Sequence, residues 1–166
     1  MNSFDYRERA NAKLISWIAA TGTQRSISEG SYLIREGDQA EALLFLMDGQ
    51  LDAITRNDNQ REVTLSNLAA GAVMGEMSWL EQRPAVADIV SRGESRLLQL
   101  PFASIQDLER TNPQLAAQLH RLLAQKLALQ IQHQNFQLAS EPLNPVEPLR
   151  KVLICSPIWT SAMSTA

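Results

Sequence analysis

At 166 residues with 45% hydrophobic content, the chain has material for one ordinary globular core, and a domain near this size buries about 70% of its unfolded surface. Its 15 basic and 18 acidic side chains leave a formal net charge of -3, so the counts give no sign of the basic face that non-specific nucleic-acid binding requires. The single cysteine, Cys155, excludes an intrachain disulfide, the polar start MNSFDYRERA lacks an apolar signal core, and no apolar run approaches the ~20 residues that span a bilayer. These features predict a cytoplasmic protein without membrane insertion.

Taken in chain order, residues 5–20 predict a helix, with Ala10, Leu14, Trp17 and Ile18 recurring at helical spacing and Gly22 placed where a helix stops. From about Arg25 to Leu100 the texture changes to short apolar runs separated by turn signals. The turns are Ser28-Glu29-Gly30, Glu36-Gly37-Asp38, Asp48-Gly49, Asn57-Asp58-Asn59 and Ala70-Gly71; the runs are Tyr32–Ile34, Leu43–Met47, Leu51–Thr55, Glu62–Leu65, Ala87–Val90 and Leu97–Leu100. Strands at this spacing predict an all-β sandwich or barrel.

After Pro101 the chain turns helical again. Ser104 is placed as the cap of a short helix, with Asp107 as the acid of a capping box. Asn112-Pro113 is a second start, a capping residue followed by proline at the first helical position. The run from Gln114 to about Leu138 has no Gly, Pro, Ser or Thr, and its stripe includes Leu115, Leu119, Leu122, Leu123, Leu127 and Ile131. Only Arg121 and Lys126 carry full charge in that run, so the helix needs cover on more than one side. Its own β-roll and a second copy of the chain are the two candidates, and the width of the stripe predicts a homodimer. Ser140–Pro148, with three prolines, reads as a linker; the tail beyond it is a stub, a packing strand or a disordered end. The expected organisation is therefore an N-terminal helical segment over 1–22, a domain over 23–139, and a Pro-rich linker and short tail over 140–166.

Chemistry concentrates in Ala70–Ser91, AGAVMGEMSWLEQRPAVADIVS. Gly75 lets the backbone close in on a ligand, and Glu76 offers a carboxylate to a hydroxyl. A catalytic reading finds no support. The two histidines, His120 and His133, lie thirteen residues apart in the long helical run, and Cys155 lies in the tail, so neither a metal site nor a nucleophile–base pair assembles. The 28 residues after Leu138 are too few and too proline-rich for a helix-turn-helix unit, which predicts no DNA-binding domain.

The order of helix, β-roll with a Gly-Glu cassette, short helix and long helix resembles the cyclic-nucleotide-binding domain shared by catabolite activator proteins and the regulatory subunits of cyclic-AMP-dependent kinase. Gly22 to Leu138 carry the resemblance, through Gly30, Gly37, Leu43–Phe45, Asp48-Gly49, Gly71, Gly75-Glu76 and the stretch Pro84-Ala85-Val86-Ala87. GEMSWLEQRP and ATGTQR are further similar to a cyanobacterial-type subgroup associated with bacteriocin-type transport. The resemblance implies a mainly β fold, a double-stranded β-helix of jelly-roll type flanked by an N-terminal helix and by short and long C-terminal helices. It also implies a non-catalytic regulatory or sensor module with no resident cofactor and a cyclic nucleotide as its ligand.

In that family the glutamate after the cassette glycine binds the ribose hydroxyl, which corresponds to Glu76, and an arginine about nine residues later pairs with the cyclic phosphate. That position holds Ala85; Val86 and Ala87 follow, and Asp88 stands where a threonine is frequent. An arginine matches a phosphate with a planar fork of donors that alanine lacks, so the resemblance implies weak or altered nucleotide binding. Arg83, two residues earlier, is either a substitute phosphate ligand or a solvated partner of Glu81. Trp79 is either a stacking platform for a base or a packing residue, and Glu76 is either the ribose ligand or a carboxylate held at a helix start. The alternative is a structural or dimerisation module that keeps the fold without the ligand.

Overall fold

The computed structural model describes residues 4–140. Two short helices, α1 (Tyr6–Arg9) and α2 (Ala12–Thr21), precede eight strands: β1 (Thr23–Ile27), β2 (Tyr32–Ile34), β3 (Ala42–Asp48), β4 (Gln50–Arg56), β5 (Glu62–Ala69), β6 (Val73–Met74), β7 (Asp88–Ser91) and β8 (Ser95–Pro101). Helix α3 (Glu76–Glu81) interrupts the strands after β6, and α4 (Phe102–Thr111) and α5 (Pro113–Ser140) close the described chain. The strands form two antiparallel four-stranded sheets, ordered β1-β8-β3-β6 and β2-β7-β4-β5. The expected mainly β fold with flanking helices is the one observed.

Strand β3 explains how one chain supports two cores. Side chains alternate across a strand, and here both faces are buried. Leu43 and Phe45 join a core with Leu14 and Ile18 of α2, Ile105 of α4, and Leu119 and Leu123 of α5. Leu44 and Leu46 join Leu51, Met74, Ile89 and Leu97 in a second core, built from strands of both sheets. A strand buried on both faces reads as an unbroken apolar run, which is the character of ALLFLM.

Several boundaries differ from the sequence-based expectation, each for a local reason. The N-terminal helix is two helices, because Ala10 is extended and the Asn11 side chain restarts the helix by accepting the Leu14 amide at 2.9 Å. Strand β1 lies outside the expected runs, because TQRSI is an exposed edge paired with β8 and carries almost no apolar pattern. The two-residue β6 was also missed, and β5 runs to Ala69 rather than ending at Leu65. Ser104 caps nothing: α4 begins at Phe102, directly from the end of β8. Asn112 does cap α5, accepting the Leu115 amide at 3.1 Å, with Pro113 as first helical residue.

Helix α5 is held by its own chain through its first turns. Leu115, Ala116, Leu119, Leu122 and Leu123 are buried, and Leu127 is half-buried. The described chain divides into two units: the roll with its helices through Leu129, and a second unit beginning at Gln130, in which Ile131 is exposed. Of the linker and tail expected over 140–166, Ser140 is the last residue of α5 and the rest lies outside the described residues.

Candidate functional site

The Gly-Glu cassette sits at the joint between β6 and α3. Gly75 has φ of +87° and caps α3 without a side chain. Its closest approach is to the fold itself, since a β-carbon there would stand 2.7 Å from the Ala42 carbonyl oxygen. The glycine is thus required by a left-handed turn packed against β3. The next residue, Glu76, is only 5% exposed although it carries a carboxylate.

Burial of a carboxylate demands a partner. Lys126, fifty residues later on α5, supplies it, its ammonium donating to Glu76 Oε1. Sequence reasoning missed this residue as a functional one. The available signal was that Lys126 is one of two full charges in an otherwise apolar helical run. On the same short helix, the Trp79 ring packs against Phe102 of α4 with centroids 5.0 Å apart and stacks on His120 of α5 at 6.5 Å. Trp79 is therefore a packing residue that seats α3 on the C-terminal helices. His120 in turn faces Glu109 of α4, Nε2 to Oε1 at 3.1 Å.

Helix α3 ends at Gln82 in the left-handed region, φ +53°. Arg83 follows on the surface and pairs loosely with Glu81 at 3.7 Å, both side chains well exposed. Ala85 is bound in both directions to the loop after β2. Its amide donates to the Asp38 carbonyl at 2.8 Å, and its carbonyl accepts the Gly37 amide at 2.8 Å. Val86 is exposed and Ala87 is buried. Asp88 accepts the Glu36 amide at 2.7 Å, and the Glu36 carboxylate accepts the Thr55 hydroxyl at 3.0 Å. The Asp88 carboxylate thus braces the loop over residues 35–38.

The structure brings Gly75 against β3, Glu76 to Lys126 of α5, and Ala85 and Asp88 together with the 35–38 loop. Arg83 stands on the exposed loop between Glu76 and Ala85. A cleft of about 330 Å³ lies elsewhere, between the start of α2 and α5, lined by Arg9, Asn11, Leu14, Gln118, Arg121 and Gln125. Among the described residues there is no cluster of His, Cys, Asp or Glu suited to a metal ion, and no helix is long and apolar enough to cross a membrane.

Residues 24–112 match the family model of the cyclic nucleotide-binding domain. The chain is 31% identical over 121 residues to Glutaminase 1 of Bradyrhizobium diazoefficiens, covering 73% of this chain and 19% of that protein. It therefore spans about a fifth of that relative's length. Among solved structures, it is similar to a cyclic nucleotide-binding domain from Methylobacillus flagellatus, with a TM-score of 0.75, 20% identity, and coverage of 82% of this chain and 77% of that one. It is similar also to the catabolite activator protein of Thermus thermophilus, with a TM-score of 0.64, 24% identity, and coverage of 76% and 60%.

Proposed function

The chain belongs to the cyclic nucleotide-binding domain family, and from that premise we propose that it is a non-catalytic regulatory module in which the grip on a cyclic phosphate is weakened or altered. The single observation that carries this reading is Ala85. It occupies the position where the family resemblance calls for the phosphate arginine, and its own amide is already engaged by Asp38. A cyclic phosphate taken from water loses strong hydration, and it needs oriented donors in return. Charge-assisted hydrogen bonds contribute about 1.5–3 kcal/mol each, so the missing bidentate pair weakens binding by two or more orders of magnitude.

Calorimetry with cyclic AMP and cyclic GMP tests this reading. The wild-type chain is expected to bind weakly or not at all, and Ala85→Arg to create or strengthen binding at least tenfold. If Arg83 has taken over the phosphate, wild type binds measurably and Arg83→Ala abolishes that binding. Tight wild-type binding that survives Arg83→Ala defeats the reading.

A second reading, a structural module that keeps the fold without the ligand, is favoured by one specific observation: the carboxylate of Glu76 is already paired with Lys126. Both readings include a homodimer formed along α5. What supports it is a line of exposed residues, Ala117, Arg121, Ala124 and Ala128, spaced four, three and four apart on a helix whose buried side is already covered. Such a seam carries one charge, at Arg121, and otherwise only small apolar side chains.

A further inference from the structure

The break between α1 and α2 borders a cleft. Ala10 is extended, so the chain turns there instead of continuing as one helix. The cleft of about 330 Å³ lies between this joint and one patch of α5. Gln118, Arg121, Leu122 and Gln125 form the patch, at the three- and four-residue spacings that share a helix face. Leu14 and Leu122, both buried, line its apolar side. The hydrogen bonding around the cleft is biased toward donors. The Leu14 amide can only donate, so Asn11 meets it with Oδ1 and has Nδ2 left to give. That Nδ2 donates to Gln118 Oε1, which leaves Gln118 with its own amide nitrogen as a donor. Arg9 and Arg121 also line the cleft and are exposed, and a guanidinium has no acceptor. Among the described residues neither arginine is paired with a carboxylate, and no Asp or Glu lines the cleft.

We propose that this cleft is a ligand site separate from the cassette, built for a small organic oxyanion: a carboxylate or phosphate head on a short apolar body. It goes beyond the nucleotide reading and does not rest on it. The two guanidiniums and the Gln118 amide nitrogen take the head, since the planar fork of an arginine matches either oxyanion. Leu14 and Leu122 take the apolar body. The volume is at the lower end of the range for small-ligand pockets, which suits a body of a few carbons. One exposed arginine is ordinary on any surface. Here two, from different helices, meet at one concavity of a chain whose net charge is -3. The occupant joins the α1–α2 joint to α5, beside the bridge that Asn11 and Gln118 already make.

The test titrates the isotope-labelled full chain with sodium hexanoate, hexyl phosphate and hexanol, and follows the backbone amide signals by NMR. Hexanoate or hexyl phosphate is expected to give saturable shifts confined to residues 9–14 and 118–125, and the probe that does so identifies the head group. Four variants locate the site: Arg9→Gln, Arg121→Gln, Gln118→Glu, and Arg96→Gln as a control for loss of charge elsewhere. Each arginine change in the cleft is expected to weaken binding about three- to fivefold, the scale of a solvent-screened charge pair. Gln118→Glu keeps an oxygen for Asn11 but turns the remaining donor into a carboxylate, and is expected to abolish binding. Arg96→Gln is expected to change nothing. Arg121 also lies on the exposed line of α5 offered above as a dimer seam, so Arg9→Gln and Gln118→Glu, which lie off it, carry the decision. No saturable binding of either anion below about 10 mM, a very weak affinity, overturns the proposal. Hexanol that binds as well as the anions overturns it too, and makes the cleft an apolar crevice. Binding that survives both Arg9→Gln and Gln118→Glu, or that falls equally in Arg96→Gln, overturns it as well.

Discussion

A β-carbon on Gly75 would come within 2.7 Å of the Ala42 carbonyl oxygen, so the glycine of the cassette is pressed against β3. The obstacle is backbone rather than a movable side chain, and φ at Gly75 is +87°. Gly75→Ala therefore faces both a disfavoured backbone conformation and a clash. The expected cost is about 2–4 kcal/mol, the sum of a strained φ/ψ and an overpacking penalty. Urea denaturation of the two proteins checks it, and a loss below about 0.5 kcal/mol, the range of an ordinary surface change, contradicts the tight seat described for α3.

The N-terminus supplies a pH prediction. The Asp5 carboxyl is held below its usual value of 3.8, first by the side-chain hydrogen bond from Arg7, aided by the Arg7 amide and its charge, against opposing desolvation. A depressed folded-state value means that this contribution is fully present above the unfolded value of about 4 and is lost as the pH falls through the folded value. Asp5→Asn keeps an oxygen to cap α1 but removes the ion pair with Arg7. Near neutral pH the variant is expected to be less stable by about 0.2–1 kcal/mol, the range of a solvent-screened pair. The gap is expected to close as the pH falls below that of the free carboxyl. Thermal melts of both proteins across pH 2.5–7 decide the matter, and a gap that widens on acidification gives the wrong sign.

The proposed homodimer makes a sharper demand on α5. Ala128 is exposed, so glutamate there is expected to change the stability of an isolated chain by no more than about 0.5 kcal/mol, as for other surface sites. On a helix seam across a two-fold axis, the same change places two carboxylates face to face. Sedimentation is expected to show wild type as a dimer at protein concentrations of about tens of micromolar, in the range where moderate interfaces associate, and Ala128→Glu as a monomer. A wild-type chain that sediments as a monomer there removes the dimer from the proposal.

The parts of the fold legible in the sequence were those with a strong local pattern. The run ALLFLM is apolar throughout because both faces of β3 are buried, and Asn112-Pro113 announces a helix by capping chemistry alone. β1 escaped because a polar edge strand derives its structure from pairing with β8, 76 residues away at Thr23 and Gln99, rather than from its own composition. The site divided along the same line. Gly75, Glu76 and Ala85 lie within one segment, and their expected roles rest on its resemblance to the family cassette. Neither the partner of Glu76 nor the role of Asp88 was visible, because Lys126 and the Glu36 amide reach them through tertiary structure.

The position of β8 between β1 and β3 has a consequence for synthesis on the ribosome. Three of the four strands in that sheet are made early, yet β1 and β3 touch only through the strand that ends at Pro101. Until that strand emerges, the apolar β3 has its central partner missing, and non-local pairing of this kind forms slowly. A nascent chain stalled before Ser95 would present the ALLFLM run to its surroundings, which is where a chaperone would bind and where aggregation would begin.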